Sequence, residues 1–134
     1  MIKKITREDL EFARKLRNKN RDYFFDPRKI NKIIHEAWFE VMQKDPDMEF
    51  FIIWEDGKRV GTISAHETMD NVEIGNIIID KKHRRKGYFK QALAELLIFH
   101  PGKSPFLEVK PENKAAIKAY ESIGFRERKR TLWI

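Results

Sequence analysis

"VEIGNIIIDKKHRRKGYFKQALAELL" (Val72–Leu97) decides how this chain folds, because three patterns follow one another in it without a break. The first nine residues are rich in β-branched side chains and predict a strand ending at Asp80. "KKHRRK" packs five Lys/Arg into six residues, too polar for a core element, and predicts a loop. Beyond Gly87, the residues Phe89, Ala92, Leu93, Leu96 and Leu97 recur at the spacing of one helix face, and "HPGK" (100–103) stops that helix. The amides in the first turn of such a helix lack internal partners and carry the positive end of its dipole, so the junction suits a phosphate. Gly87 lets the chain approach that anion without a Cβ in the way. A Walker loop and a three-glycine dinucleotide fingerprint are both absent, which removes the usual support for ATP or NAD.

Outward from this stretch the rest of the chain supplies alternating elements. "PFLEVK" (105–110) predicts a strand, and "ENKAAIKAYESIGF" (112–125) a helix closed by Gly124 in a left-handed cap. "FRERKRTLWI" (125–134) predicts one terminal strand. Upstream, "EFFIIWE" and "RVGTISAHE" flank Asp56-Gly57, the signal of a β-hairpin. "IKKI" (2–5) reads as a short strand, and Thr6 with Asp9 opens a helix through about Asn20 with Leu10, Ala13 and Leu16 inward. Asp26-Pro27 predicts the start of a second helix, with Ile30, Ile33, Ile34, Ala37, Trp38 and Val41 on its core face. The resulting order is β-α-α-β-β-β-α-β-α-β: a single α/β domain over 1–134 with a mixed sheet, helices packed on both faces, and a parallel β-α-β crossover through the basic loop.

Composition narrows the chemistry. The chain has 134 residues, no cysteine and a net charge of +7. Disulfides, thiolate metal sites and cysteine nucleophiles are excluded. Residues 81–86 carry +5 and residues 126–130 carry +3, so the remainder is close to neutral. Two local patches suit a compact polyanion better than a long duplex. The early charges in "MIKKITREDL" and the lack of an eighteen-residue apolar run predict a soluble, cytoplasmic protein without a membrane partner.

The spacing Arg84-x-x-Gly87-x-Phe89 resembles the Arg/Gln-x-x-Gly-x-Gly/Ala motif of the GCN5-related N-acetyltransferases, the GNAT superfamily. "NKAAIKAYESIGF" (Asn113–Phe125) is similar to that superfamily's second signature. The resemblance implies a GNAT fold and an acetyl-CoA-dependent N-acetyltransferase that moves an acetyl group to a primary amine directly, in a ternary complex. It implies that Arg84, Arg85, Lys86, Gly87, Tyr88 and Phe89 hold the pyrophosphate of acetyl-CoA and that Asn113 touches the cofactor. By the same resemblance, backbone amides around Ile77, Ile78 and Ile79 polarise the thioester carbonyl, Tyr120 protonates the departing thiolate, and Glu73 is the base. A shorter likeness, carried by "LRNKNRDYFF" (16–25), "INKIIHEAWF" (30–39) and "RVGTIS" (59–64), is to members that acetylate nucleotide-linked amino sugars.

The chemistry of the side chains fits these roles. A phenol with pKa ~10 is a suitable acid for a thiolate, and an amine of similar pKa needs a base near neutral pH. Strand alternation places Glu73 with Gly75, Ile77 and Ile79, and Asn76 on the opposite face. The same residues have plainer readings: Tyr120 as core filler beside Ile117 and Ile123, and Glu73 as a solvated strand residue. His35 and His66 are candidates for the amine pocket, while His83 belongs to the basic run and His100 to a helix end. No histidine pair has ligand spacing, so no metal is expected.

Two other functions stay open on sequence. Phe89 stands where the superfamily has Gly or Ala, and a ring turned toward the phosphates would leave a non-catalytic, GNAT-like domain. A nucleic-acid binder draws on the basic patches, with only Tyr88 and Trp133 as stacking aromatics. The resemblance implies a small-molecule or peptide amine as acceptor, and the terminal strand offers an edge for a homodimer.

Overall fold

The computed structural model describes residues 1–128 and the backbone of 131–133. The strands are β1 (Ile2–Lys4), β2 (Met48–Glu55), β3 (Lys58–Glu67), β4 (Asn71–Ile79), β5 (Ser104–Glu108), β6 (Arg126–Arg128) and β7 (Thr131–Trp133). The helices are α1 (Leu10–Lys19), α2 (Lys32–Lys44), α3 (Tyr88–Ile98) and α4 (Lys114–Ser122). They build one mixed sheet in the order β1-β2-β3-β4-β5-β7-β6, in which only β4 and β5 run parallel among the described pairs. The expected element order holds up to the C-terminus. There the single expected strand is two short antiparallel ones, β6 and β7; the Lys129 and Arg130 of the second basic run lie outside the described residues.

Local chemistry explains the joints. Asp56 and Gly57 both take positive φ, 50° and 73°, and close the two-residue hairpin that pairs Glu55 with Lys58. At the start of α1 the Asp9 carboxylate accepts from the Thr6 amide at 2.8 Å and from Arg59 Nε at 2.8 Å, so the expected cap also ties the helix to β3.

Alternation along β2 sorts the core into two layers. Phe51 and Ile53 join Val72, Ile74, Leu96, Leu107 and Phe125 on the face covered by α3 and α4. Phe50 and Ile52 join Leu10, Ala13, Phe39 and Met42 on the face covered by α1 and α2. Leu10, Ala13 and Leu16 of α1 are buried as expected.

The second helix departs from expectation in start and rotation. It begins at Lys32, capped by Asn31, whose side chain accepts from the Ile34 amide at 2.8 Å. The Asp26 carboxylate is instead turned onto Arg28, at 2.9 and 2.7 Å, and Pro27 lies in extended chain. The sheet-facing residues are His35, Phe39 and Met42, with Trp38 half-buried, while Ile33, Ile34 and Val41 are 81%, 56% and 70% exposed. The helix carries apolar residues on two adjacent faces, and the face with the larger rings fills the sheet. No helix of the described residues is long and apolar enough to cross a membrane.

Candidate active site

β4 ends at Ile79 and a 3₁₀ turn over Lys81–His83 leads into the basic loop. Arg85 and Gly87 both adopt left-handed backbone, with φ of 63° and 79°, and Gly87 is the residue before α3. Among the described residues the amides of Arg85, Lys86 and Gly87 donate to no backbone carbonyl, and those of Tyr88 and Phe89 open the helix. Left-handed residues beside a helix start make a concave nest of N–H groups, the geometry that receives phosphate. Arg85 and Lys86 are exposed beside it. Arg84 acts differently, as a fastener. Its Nε donates to the Ile79 carbonyl at 2.8 Å and its Nη2 to Asn20 Oδ1 at 2.8 Å, which ties the loop to β4 and to the end of α1. The Phe89 ring turns inward, 5.3 Å from the Tyr120 ring and edge-on to it, which leaves the nest clear.

Beyond this nest the sheet opens. β4 pairs with β5 only over Asn71–Glu73, then runs on to Ile79 with no further β5 partner among the described residues. The backbone around Ile77, Ile78 and Ile79 therefore borders a split beside the loop. Tyr120, on α4, is buried against Phe89 and Phe125 in the same layer. Burial pushes its phenol up to about 12. A Schellman turn holds this end of α4: the Phe125 amide bonds the Tyr120 carbonyl at 3.1 Å, the Gly124 amide bonds that of Glu121 at 3.1 Å, and Gly124 has φ of 111°. Asn113 caps the other end, its side-chain oxygen accepting from the Ala116 amide at 3.3 Å. It stands at the N-cap position, one residue before the first helical residue, Lys114.

A bulge in β4 corrects the expected face of Asn76. Ser64 pairs with Gly75 but Thr62 with Ile78, so Asn76 and Ile77 together oppose one residue of β3, and Asn76 has φ of 48°. The extra residue inverts the alternation. Ile77 and Ile79 pack in the α3/α4 layer with Val72 and Ile74, whereas Asn76 and Ile78 share the α1/α2 face with Glu73. The bulge is held by Thr62 Oγ1 donating to the Asn76 carbonyl at 2.7 Å and by Asn76 Nδ2 donating to Ser64 Oγ at 3.0 Å. Sequence reasoning passed over it, although a Gly-Asn pair inside a β-rich run is a bulge signal.

On that face a cavity of about 240 Å3 lies between α1, α2 and the sheet, lined by Ala13, Arg17, His35, Trp38, Thr62 and Asn76 among others. His35 is buried and stacked on Trp38 at 4.9 Å; burial first, then the charge of Arg14, lowers its pKa. His66 is exposed and pairs across the sheet with Glu73 rather than lining the cavity. Burial, together with Glu108, raises the Glu73 carboxyl against a smaller opposing effect of His66. His100 is a strut, its two ring nitrogens 2.6 Å from Glu67 and 2.8 Å from Glu49. Among the described residues no three His, Cys, Asp or Glu side chains converge as metal ligands. A larger depression of about 570 Å3, lined by Asp70, Ser104 and Arg126, contains none of the candidate residues.

The Escherichia coli (strain K12) [ribosomal protein bS18]-alanine N-acetyltransferase is 35% identical over 81 residues, 58% of this chain and 54% of that enzyme. An uncharacterised Mycobacterium leprae protein is 38% identical over 61 residues, 46% of this chain and 17% of its own length. The chain thus spans about half or less of these curated relatives. Among solved structures, spermidine N-acetyltransferase from Vibrio cholerae in complex with CoA and spermine superposes with a TM-score of 0.86 at 22% identity, covering 100% of this chain and 94% of that one. The sequence profile of the acetyltransferase (GNAT) family matches residues 13–125, a span that runs from α1 through the nest, the β4/β5 split and Tyr120. With the fold and the profile in agreement, the chain belongs to the GNAT acetyltransferase family.

Proposed function

We propose that this protein is an acetyl-CoA-dependent N-acetyltransferase that moves the acetyl group directly to a primary amine in a ternary complex. The observation that carries this reading is the open amide nest at Arg85–Phe89 beside the β4/β5 split, with the buried Tyr120 ring packed on Phe89. The nest matches the donor needs of a pyrophosphate, and Gly87 keeps a side chain out of its mouth. Arg85 and Lys86 add charge at the rim, Arg84 keeps the loop in place, and Asn113 retains its side-chain NH2 for the cofactor. Acetyl-CoA supplies the activated acyl group.

The chain's own residues do the rest. Amides of the bulged β4 segment, Ile77 to Ile79, donate to the carbonyl oxygen as charge grows on it. Glu73, or water it orders, takes the proton of the amine. Its raised pKa makes it a better base than an ordinary carboxylate. Tyr120 holds the proton given to the thiolate, and a phenol at about 12 stays protonated throughout the neutral range. The relatives' names include a protein alanine and spermidine as acceptors, which supports an amine acceptor in general. The test is thermal melting with acetyl-CoA, CoA and a short RNA, followed by CoA release on an amine panel. Stabilisation by acetyl-CoA together with CoA release supports the reading. Stabilisation without release on any amine leaves a binding domain, and a response to RNA alone overturns the cofactor site.

A further inference from the structure

Among the described residues no acid lines the cavity between α1, α2 and the bulge. Its lining combines the apolar Trp38, Phe50 and Ile78 with Thr62, Asn76 and Arg17, so the formal charge it presents is that of Arg17. That group is incompletely used. Nη2 donates to the Asp26 carbonyl at 3.1 Å and the guanidinium plane stacks on Phe24 at 3.5 Å, but Nη1 is buried with no partner. Asp26, the acid with the strongest electrostatic effect on it, spends both carboxylate oxygens on Arg28. Among the described residues Arg17 forms no ion pair. One turn earlier Arg14, bound to Glu11, also keeps a buried, unpartnered Nε.

A cationic side chain lining a cavity that offers it no carboxylate is matched by a ligand that brings an oxyanion. A polycation would meet the opposite: its ammonium groups would enter a cavity without a carboxylate and beside a fixed positive charge. We propose that the acceptor is an amine that also carries an anionic group, a carboxylate or a phosphate, held by Arg17 while the amine faces the bulge at Asn76. The small volume sets the acceptor's size near that of an amino acid or a sugar phosphate. The apolar wall of Trp38, Phe50 and Ile78 takes its carbon skeleton. This assignment rests on the acetyltransferase reading and names the substrate class of the same site.

The test uses pairs in which the anion is removed, phenylalanine against phenylalaninamide and glucosamine 6-phosphate against glucosamine, compared at equal concentration of the neutral amine, with spermidine as the polycation. Because the chain has no cysteine, a thiol reagent reads only the CoA released. The anionic member of at least one pair should exceed its neutral partner by roughly tenfold or more in kcat/KM, the scale of one hydrogen bond to a charged group. Which pair responds separates carboxylate from phosphate. Arg17→Gln should bring the two members to within about twofold of each other, chiefly through KM, with the acetyl-CoA melting shift retained, and Arg17→Lys should restore part of the preference. If turnover is absent, the same pairs are read by melting of the protein with and without acetyl-CoA. The anion is then expected to stabilise wild type and not Arg17→Gln. Equal responses within both pairs, or spermidine as the best acceptor, would overturn the assignment while leaving acetyltransfer itself standing. Loss of the acetyl-CoA shift in wild type would instead count against the proposed function.

Discussion

The two faces of the sheet solve different problems. On the α3/α4 side the aromatic stack of Phe89, Tyr120 and Phe125 is closed, and among the described residues the loop at its edge leaves main-chain amides without backbone partners. On the α1/α2 face the unpartnered groups are side-chain donors of Arg14 and Arg17, and apolar residues of α2 are exposed to solvent. Backbone donors bind any chain that keeps the turn, so that face follows a short motif. Side-chain donors depend on which residues happen to face inward, so the other face is individual to this protein.

The rotation of α2 puts this contrast to its most severe trial. Phe39→Ala should cost about 3–5 kcal/mol in denaturant unfolding, the usual cost of emptying a buried aromatic site. Ile33→Ala on the exposed face should stay within about 0.5 kcal/mol. Comparable losses at both positions would return α2 to the orientation expected from its Ile pattern. Next in size, Tyr120→Phe should slow turnover by about 100-fold or more while the affinity for acetyl-CoA holds, because only the proton donor is removed. With the phenol held to about 12, the wild-type rate should show no loss between pH 8 and pH 10 from its ionisation. An alkaline limb near pH 10 that vanishes in Tyr120→Phe would contradict the burial.

Gly87→Val probes the nest itself. A Cβ there meets no atom within 4 Å, so any loss comes from the left-handed backbone and from the approach of the ligand. The strain should cost about 1–2 kcal/mol of stability, and the melting shift with acetyl-CoA should largely disappear. An unchanged shift would move the phosphate elsewhere. The smallest effect belongs to Glu73. Its carboxyl pKa is raised on folding, so the folded state binds the proton more tightly and the ionised group lowers stability at neutral pH. Glu73→Gln should therefore melt higher than wild type at pH 7, and the gap should narrow as pH falls through the folded pKa toward pH 4. A variant less stable than wild type at pH 7 would show that the carboxylate is stabilised rather than stressed.

The two faces also differ in how far they could be read along the chain. The Asp56-Gly57 turn, the Thr6/Asp9 cap, the α3 face and the Gly124 closure were all legible, because each depends on neighbours a few residues apart. Failures came where a residue's partner is distant or where two local solutions compete. Asp26-Pro27 looked like a helix start, yet Arg28 claims the aspartate and Asn31 caps the helix. Strand alternation misplaced Asn76 because one bulge reverses every side chain after it. Arg17 drew no attention as a binding group, since one arginine in an amphipathic helix resembles any other until its neighbours are known.

Periodicity, turn chemistry and short spacings were enough to anticipate the order of the elements as far as α4, the strand–loop–helix junction after β4 and the resemblance to the family. Which face of α2 is buried, where Asn76 points, that Phe89 turns inward and that Arg17 forms no ion pair among the described residues emerged only when the elements packed together. Those outcomes depend on competition among surfaces brought together from all over the chain, and no local pattern records which surface wins.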